Sequence, residues 1–255
     1  MIKKIHFNFT DCCNYHCFYC INSSGNSPII PIDVDKIVRF FDESGYSWII
    51  ELSGGEPFVI PNFIELCQKL TLKHKIIILT NLSIDPTEFL TKVNLSNVEY
   101  FGVSLHQEIR SKRECISSFV DRIRLVSKFG VRIHLTQVET PWNIEEVHNQ
   151  FNEIKQIFPD IEAHLLPLKE YPNMPVQYRK NIGKYEGHIG KICLAGYSEV
   201  IADRFGNIYR CWDAYMKEPI LGNIYMNTMN LLKEPTTCTF PNCLCPFMAQ
   251  DNVQL

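Results

Sequence analysis

Residues 10–20 read TDCCNYHCFYC. Cys13, Cys17 and Cys20 have the spacing C-x3-C-x2-C, directly after an apolar run that predicts a strand over Lys4–Thr10. Three thiolates on one short loop suit a cubane cluster of four irons and leave one iron without a protein ligand. That open iron is a chemical opportunity, as an open position on a catalytic metal is. A tetrahedral zinc site usually takes its ligands in pairs, C-x2-C with a distant second pair. Only Cys17 and Cys20 make such a pair here. Cys12 is off the spacing and reads as a spectator.

Outward from this loop, short β-rich runs alternate with amphipathic helical stretches. Strands are expected at Trp48–Ser53, Lys75–Thr80, Tyr100–Leu105, Arg132–Val138 and Ile161–Leu166. Helices are expected at Asp33–Ser44, Pro61–Leu70, Ser111–Phe129 and Asn143–Phe158, with Asp33 as a cap for the first. Repeated strand–helix units predict an α/β fold with a parallel sheet and helices outside. Six units are too few for an eight-fold barrel, so the expectation is a partial (β/α)6 TIM-like barrel. Its site belongs at the carboxyl ends of the strands. The second strand ends in LSGGEP at 52–57. Gly54 and Gly55 let backbone approach a ligand closely, and Glu56 offers a carboxylate to an ammonium group. Taken alone, the segment is only a turn.

CNYHCFYC after an N-terminal strand, with GGEP one strand later, resembles the radical S-adenosylmethionine (radical SAM) superfamily. The resemblance implies a [4Fe-4S] cluster on Cys13, Cys17 and Cys20, and S-adenosylmethionine as cosubstrate. It implies that Gly54, Gly55, Glu56 and Pro57 hold the cosubstrate's amino group. Tyr19 matches the usual aromatic beside the adenine. Asn81, Ser104, His106 and Gln137, at later strand ends, match positions that touch ribose and carboxylate, although each also reads as a strand cap. The implied chemistry is reductive cleavage to a 5′-deoxyadenosyl radical, which abstracts a hydrogen from the substrate. The cluster and cosubstrate carry that step, while the protein supplies position and exclusion of water.

The strand–helix rhythm stops after about residue 168, where Pro167, Pro172 and Pro175 fall close together. A hairpin is expected from Tyr197–Ala202, a turn at Asp203–Gly206, and Asn207–Trp212. Cys193, Cys211, Cys238, Cys243 and Cys245 complete this tail. It resembles the cysteine-rich extensions called SPASM and twitch. Five cysteines are too few for two fully ligated clusters, so one auxiliary [4Fe-4S] cluster of the twitch type is expected, on four of the five. Cys193 and Cys211 are two of its ligands; the spacing does not choose among the other three. A four-cysteine zinc site is the alternative. The expected domains are 1–184, the partial barrel, and 185–255, a small cysteine-rich auxiliary domain.

The chain has 255 residues, enough for one sizeable core with a small appendage. Its net charge of -3 offers no basic excess for nucleic acid or an anionic membrane surface. The start, MIKKIHFNFTDCC, lacks an apolar run and a cleavage site, so no signal peptide is expected, and no stretch reaches membrane-spanning length. The expected location is cytoplasmic. Eleven cysteines are an odd count in a chain that is no small secreted scaffold, which argues for metal ligands over disulfides. Cys67 and Cys115 read as small helix hydrophobes. A fully ligated auxiliary cluster would accept an electron, making a two-electron dehydrogenation the expected outcome. His106, His134, His164, Glu139 and Glu170 are candidate bases. The absence of a leader-capturing domain before the first strand favours a small sugar- or aminocyclitol-like substrate over a peptide. The expected partner is an external flavodoxin- or ferredoxin-like reductant. Peptide modification is the enzymatic alternative, and a non-catalytic iron–sulfur or zinc scaffold is the alternative of another class.

Overall fold

A computed structural model describes residues 2–20, 27–168 and 189–240. Strands and helices alternate from the start: β1 (Ile2–Thr10), α1 (Val34–Glu43), β2 (Ser47–Gly54), α2 (Phe63–Leu70), β3 (Lys75–Thr80), α3 (Thr87–Lys92) and β4 (Val98–Ser104). Then come α4 (Gln107–Arg110), α5 (Ile116–Lys128), β5 (Ile133–Glu139), α6 (Ile144–Ile157) and β6 (Glu162–Pro167). The C-terminal part adds β7 (Ile192–Cys193), β8 (Glu199–Ala202), β9 (Asn207–Tyr209), β10 (Gly222–Asn223), β11 (Thr228–Met229) and β12 (Thr236–Thr237).

β1 to β6 lie side by side in chain order and pair in parallel. Each crossover therefore moves one place along the sheet, and a constant hand puts every helix on the same face. The strand alternation follows from this. Ile5, Phe7, Phe9, Ile50, Leu52, Ile76, Ile78, Phe101 and Val103 join Ile37, Phe41, Leu66, Phe89, Phe119 and Ile123 in one buried cluster. The intervening strand residues face the other way. α1 begins where expected, because the Asp33 carboxylate accepts the Lys36 N–H at 3.1 Å. The helix expected over Ser111–Phe129 is present as α5 with a later start at Ile116, and the short α4 that precedes it is not among the expected helices. Cys67 is fully buried in α2, as a core residue should be, whereas Cys115 is exposed just before α5.

The expected six-strand parallel unit is present, but β6 is an edge and the sheet does not close into a barrel. Nor does the tail hairpin stand apart from it. β8 pairs in parallel with β1, and β9, β10 and β11 extend that side antiparallel, giving a ten-stranded sheet. The Asp203 carboxylate makes the β8–β9 turn by accepting the Phe205 and Asn207 N–H groups, each at 2.9 Å. The boundary expected at 184/185, with Cys243, Cys245 and Glu170, lies outside the described residues. No described helix is long and apolar enough to cross a membrane.

Candidate active site

The cysteine loop leaves β1 and is stitched at once to the end of β2. The Gly55 N–H donates to the Thr10 carbonyl at 2.7 Å, and the Glu56 N–H donates to the Cys12 carbonyl at 2.8 Å. This joint needs both glycines. A Cβ on Gly54, whose φ is +141°, would lie 2.0 Å from the Thr10 oxygen, and one on Gly55 would lie 1.9 Å from the Cys12 oxygen. Cys12 is thus no bystander, because its buried backbone carries half of the joint.

Glu56 is 1% exposed. Its Oε1 accepts from the Thr80 hydroxyl at 2.7 Å and from the Phe58 N–H at 3.2 Å, while Oε2 accepts from the Asn81 N–H at 2.7 Å. Burial pushes this carboxyl up to about 7 against those donors. The carboxylate locks the ends of β2 and β3 together, and Oε2 keeps acceptor capacity for a further donor. Pro57, also buried, opens the short turn that follows. Asn81 extends the lock to the cysteine loop by donating to the Asn14 side-chain oxygen at 2.9 Å.

A buried cation supports the same corner, unforeseen from the sequence. Arg110, 1% exposed, donates to the carbonyls of Leu105 (2.8 Å) and Asn81 and pairs with Glu114. Glu114 also pairs with Arg122 and accepts from the Tyr15 hydroxyl of the cysteine loop at 3.2 Å. Arg122 in turn caps the Leu82 carbonyl at 2.6 Å. The loop is therefore tied by side chains to the ends of β3 and β4.

His106 follows β4 in the left-handed conformation, φ 49°. Its Nδ1 lies 3.0 Å from the Tyr19 hydroxyl and 3.7 Å from Cys17 Sγ. Burial, reinforced by Arg110, pushes the imidazole down to about 4, so it is neutral. The Ser104 hydroxyl reaches Thr136 Oγ1 at 3.4 Å. Gln137 does not face the rim as expected. It is buried, with Oε1 accepting the Gln107 N–H at 3.1 Å and Nε2 donating to the Val138 carbonyl at 2.5 Å. The left-handed turn at His106 leaves the first N–H of α4 needing that acceptor. Among the other candidate bases, His134 stacks on Tyr100 at 3.8 Å and pairs with Glu162 at 3.2 Å. His164 also pairs with Glu162, at 2.8 Å, and Glu139 with His148, at 2.7 Å.

Cys13, Cys17 and Cys20 lie within electrostatic reach of one another. Burial pushes the Cys13 thiol up to about 11 and that of Cys17 up to about 12, so each needs a bound cation to become a ligand. Among the described residues, no three His, Cys, Asp or Glu side chains are close enough to share a single metal ion. Three thiols on one loop, each able to take a different iron, are a donor set that suits a four-iron cluster. In the tail, Cys193, Cys211, Ala195 and Ala214 pack together beside Phe240. Thr236 pairs with Cys193 across β7 and β12, which brings Cys238 within electrostatic reach of Cys193.

A parallel α/β sheet whose first two strand ends join a three-thiol loop to Gly-Gly-Glu-Pro defines an enzyme class built on an iron–sulfur cluster. The sequence pattern of the Radical SAM superfamily matches residues 7–149, more than half the chain, and the chain belongs to that superfamily. A 58-residue stretch is 38% identical to the S-adenosylmethionine-dependent nucleotide dehydratase RSAD2 of Danio rerio, over 22% of this chain and only 16% of that protein. The fold is similar to anSMEcpe with bound AdoMet, at TM-score 0.60 and 16% identity, over 88% of this chain and 78% of that one. It is similar to SuiB of Streptococcus suis bound to S-adenosylmethionine, at 0.59 and 16%, over 88% of this chain and 63% of that one. It is also similar to BtrN in complex with AdoMet and 2-DOIA, at 0.51 and 14%, over 88% and 78%. At these identities the solved structures speak to fold alone.

Proposed function

We propose that the protein cleaves S-adenosylmethionine reductively at a [4Fe-4S] cluster held by Cys13, Cys17 and Cys20. We further propose that it dehydrogenates a small sugar- or aminocyclitol-like substrate. The observation that carries the first part is the joint between the cysteine loop and Gly54–Pro57, which fixes a cluster loop against a segment able to receive an ammonium group. The chemistry supplied by cluster and cosubstrate, when bound, is a 5′-deoxyadenosyl radical that takes a hydrogen atom from the substrate.

The chain's own residues do the rest. Glu56 keeps an acceptor site beside the backbone of Gly54 and Gly55 for the cosubstrate's amino group. Asn81 and Tyr15 hold the loop in place, and neutral His106 orients Tyr19 and faces the Cys17 sulfur, where a hydrogen bond tunes a cluster. Dehydrogenation removes a second hydrogen as a proton plus an electron. Cys193, Cys211 and Cys238, with a further ligand from Cys243 or Cys245, would hold the auxiliary iron–sulfur acceptor for that electron. The first electron comes from an external flavodoxin- or ferredoxin-like protein.

A polar, charge-bearing face opposite the helices favours a small hydrophilic substrate. A peptide is the second reading, favoured by the bound Cp18Cys peptide in another anSMEcpe structure of similar fold. The test is anaerobic incubation of the reduced, reconstituted protein with S-adenosylmethionine and carbon-deuterated aminocyclitols. Deuterium in 5′-deoxyadenosine together with a product lacking two hydrogens supports the proposal. Deuterium transfer from a peptide instead, with aminocyclitols inert, overturns the substrate assignment.

A further inference from the structure

β1 and β2 carry a polar group on the face away from the helices that neither the cluster nor the cosubstrate residues use. In their parallel register His6 lies opposite Glu51 and Asn8 opposite Ser53. Ile5, Phe7, Phe9, Ile50 and Leu52 take the helix side, so these four stand together on the other. His6 is held at both nitrogens, Nδ1 by Glu51 Oε1 and Nε2 by the Ser53 hydroxyl at 2.8 Å. The edge of Trp212 packs on its ring at 5.6 Å. This pre-set group would already be self-sufficient without Asn8.

Asn8 is 8% exposed, and its Oδ1 has no hydrogen-bond partner. A buried acceptor is rarely left unpaired in a native fold. A Cβ built on Gly54 would lie 2.7 Å from this oxygen, which places the orphan acceptor at the foot of the Gly54–Pro57 segment. An acceptor there, next to His6, Glu51 and Ser53, wants a donor from a molecule seated below the cosubstrate. The charge of the surrounding face narrows the class. Glu199 lies opposite Lys4 in the β8–β1 register, and Glu51 and Glu162 share the same face. Glu51, 3.9 Å from the Lys4 ammonium, and Glu199 opposite it outnumber that single lysine, which disfavours a phosphate and favours an amine.

We propose that Asn8, with His6, Glu51 and Ser53, anchors the substrate by accepting a hydrogen bond from a primary amine or hydroxyl of an amino-polyol. This rests on the function proposed above and names the substrate chemistry of that site. The test is calorimetric titration of glucosamine, and separately of glucose 6-phosphate, into the reconstituted protein with S-adenosylmethionine present. Wild type is expected to bind glucosamine and to bind glucose 6-phosphate more weakly. Asn8→Leu, which removes the acceptor, is expected to weaken glucosamine by at least about tenfold. Asn8→Asp, which keeps an acceptor of the same shape, is expected to bind it at least as tightly as wild type. If the leucine variant does not fold, the aspartate variant decides alone. The proposal is overturned if wild type does not bind glucosamine, or if glucose 6-phosphate binds more tightly. It is also overturned if Asn8→Leu matches wild type, if Asn8→Asp binds more weakly, or if Asn8→Leu loses S-adenosylmethionine while keeping glucosamine. Formation of 5′-deoxyadenosine by wild type without any sugar reads the cosubstrate half separately. Its absence sinks the proposed function, whereas intact cleavage without glucosamine binding sinks only this inference.

Discussion

Gly55 and Cys12 are packed so closely that the Cys12 carbonyl oxygen lies 1.9 Å from where a Cβ on Gly55 would be. Any side chain at Gly55 must push the cluster loop off the end of β2, because the obstacle is backbone and has no rotamer to change. Gly55→Ala is expected to lower stability by about 1–3 kcal/mol, the usual cost of overpacking. It should also abolish most cosubstrate cleavage, since the loop and the Glu56 segment would no longer be held in register. Urea unfolding and 5′-deoxyadenosine yield measure the two effects. Wild-type values for both would mean that the joint is not needed.

Arg110 is a buried cation whose donors serve the carbonyls of Leu105, Asn81 and Ser104 and one carboxylate. Arg110→Met leaves the Asn81 and Leu105 oxygens short of a donor and strips Glu114 of one of its two arginines. The expected cost is about 3–5 kcal/mol, as for breaking a buried pair from one side. Arg110→Lys should restore little of it, because an ammonium lacks the planar fork that reaches several acceptors together. Midpoints of chemical unfolding for the two variants check this, and full rescue by lysine would contradict it.

His74 gives the stability a pH dependence remote from the cysteines. It is 5% exposed, and burial holds it below its ordinary value of 6.5 although Asp42 lies 3.2 Å from Nε2. The unfolded chain therefore binds this proton more readily than the native chain does. Below about pH 6.5 the unfolded state carries more protons, so this histidine's contribution to stability falls as pH drops toward its native value. Above that pH it contributes no slope. His74→Gln is expected to flatten the decline below about pH 6.5, as read from urea midpoints. An unchanged slope would show that other groups cause it.

Counting iron and sulfide tests the tail. Wild type reconstituted without oxygen is expected to hold about eight irons, and the variant with Cys13, Cys17 and Cys20 all changed to Ala about four, each cluster being of the four-iron type. About four irons falling to none, with zinc retained, would make the tail a structural zinc site and remove the auxiliary acceptor.

The features legible in the sequence are those whose signal is local. C-x3-C-x2-C and GGEP are contiguous, and each stands at a strand end, so the strand–helix rhythm alone places them side by side. The Asp33 cap and the Asp203 turn are equally short-range. What stayed hidden depends on register and on distant pairs. His6, Glu51 and Ser53 meet only because β1 and β2 align as they do, and no residue near His6 in the chain announces it. Arg110 and Glu114 look like an ordinary exposed helical pair at that spacing. The burial of Arg110 follows from the left-handed break at His106, which drops α4 onto the ends of β3 and β4. Gln137 reads as a rim residue because strand ends are where sites lie. The competing demand, an unpaired N–H at the start of α4, is invisible until the turn is known. The pairing of β8 with β1 spans almost the whole chain, and four residues of alternating pattern do not specify a partner.

The most direct test of the central claim is whether the anaerobically reconstituted, reduced protein turns S-adenosylmethionine into 5′-deoxyadenosine and methionine. The wild-type protein is expected to form both in equal amounts, and Cys17→Ala is expected to form neither above the rate of reductant alone. A wild-type protein that is fully loaded with iron, reduced, and yet inert toward S-adenosylmethionine would contradict the account and leave an iron–sulfur carrier in its place.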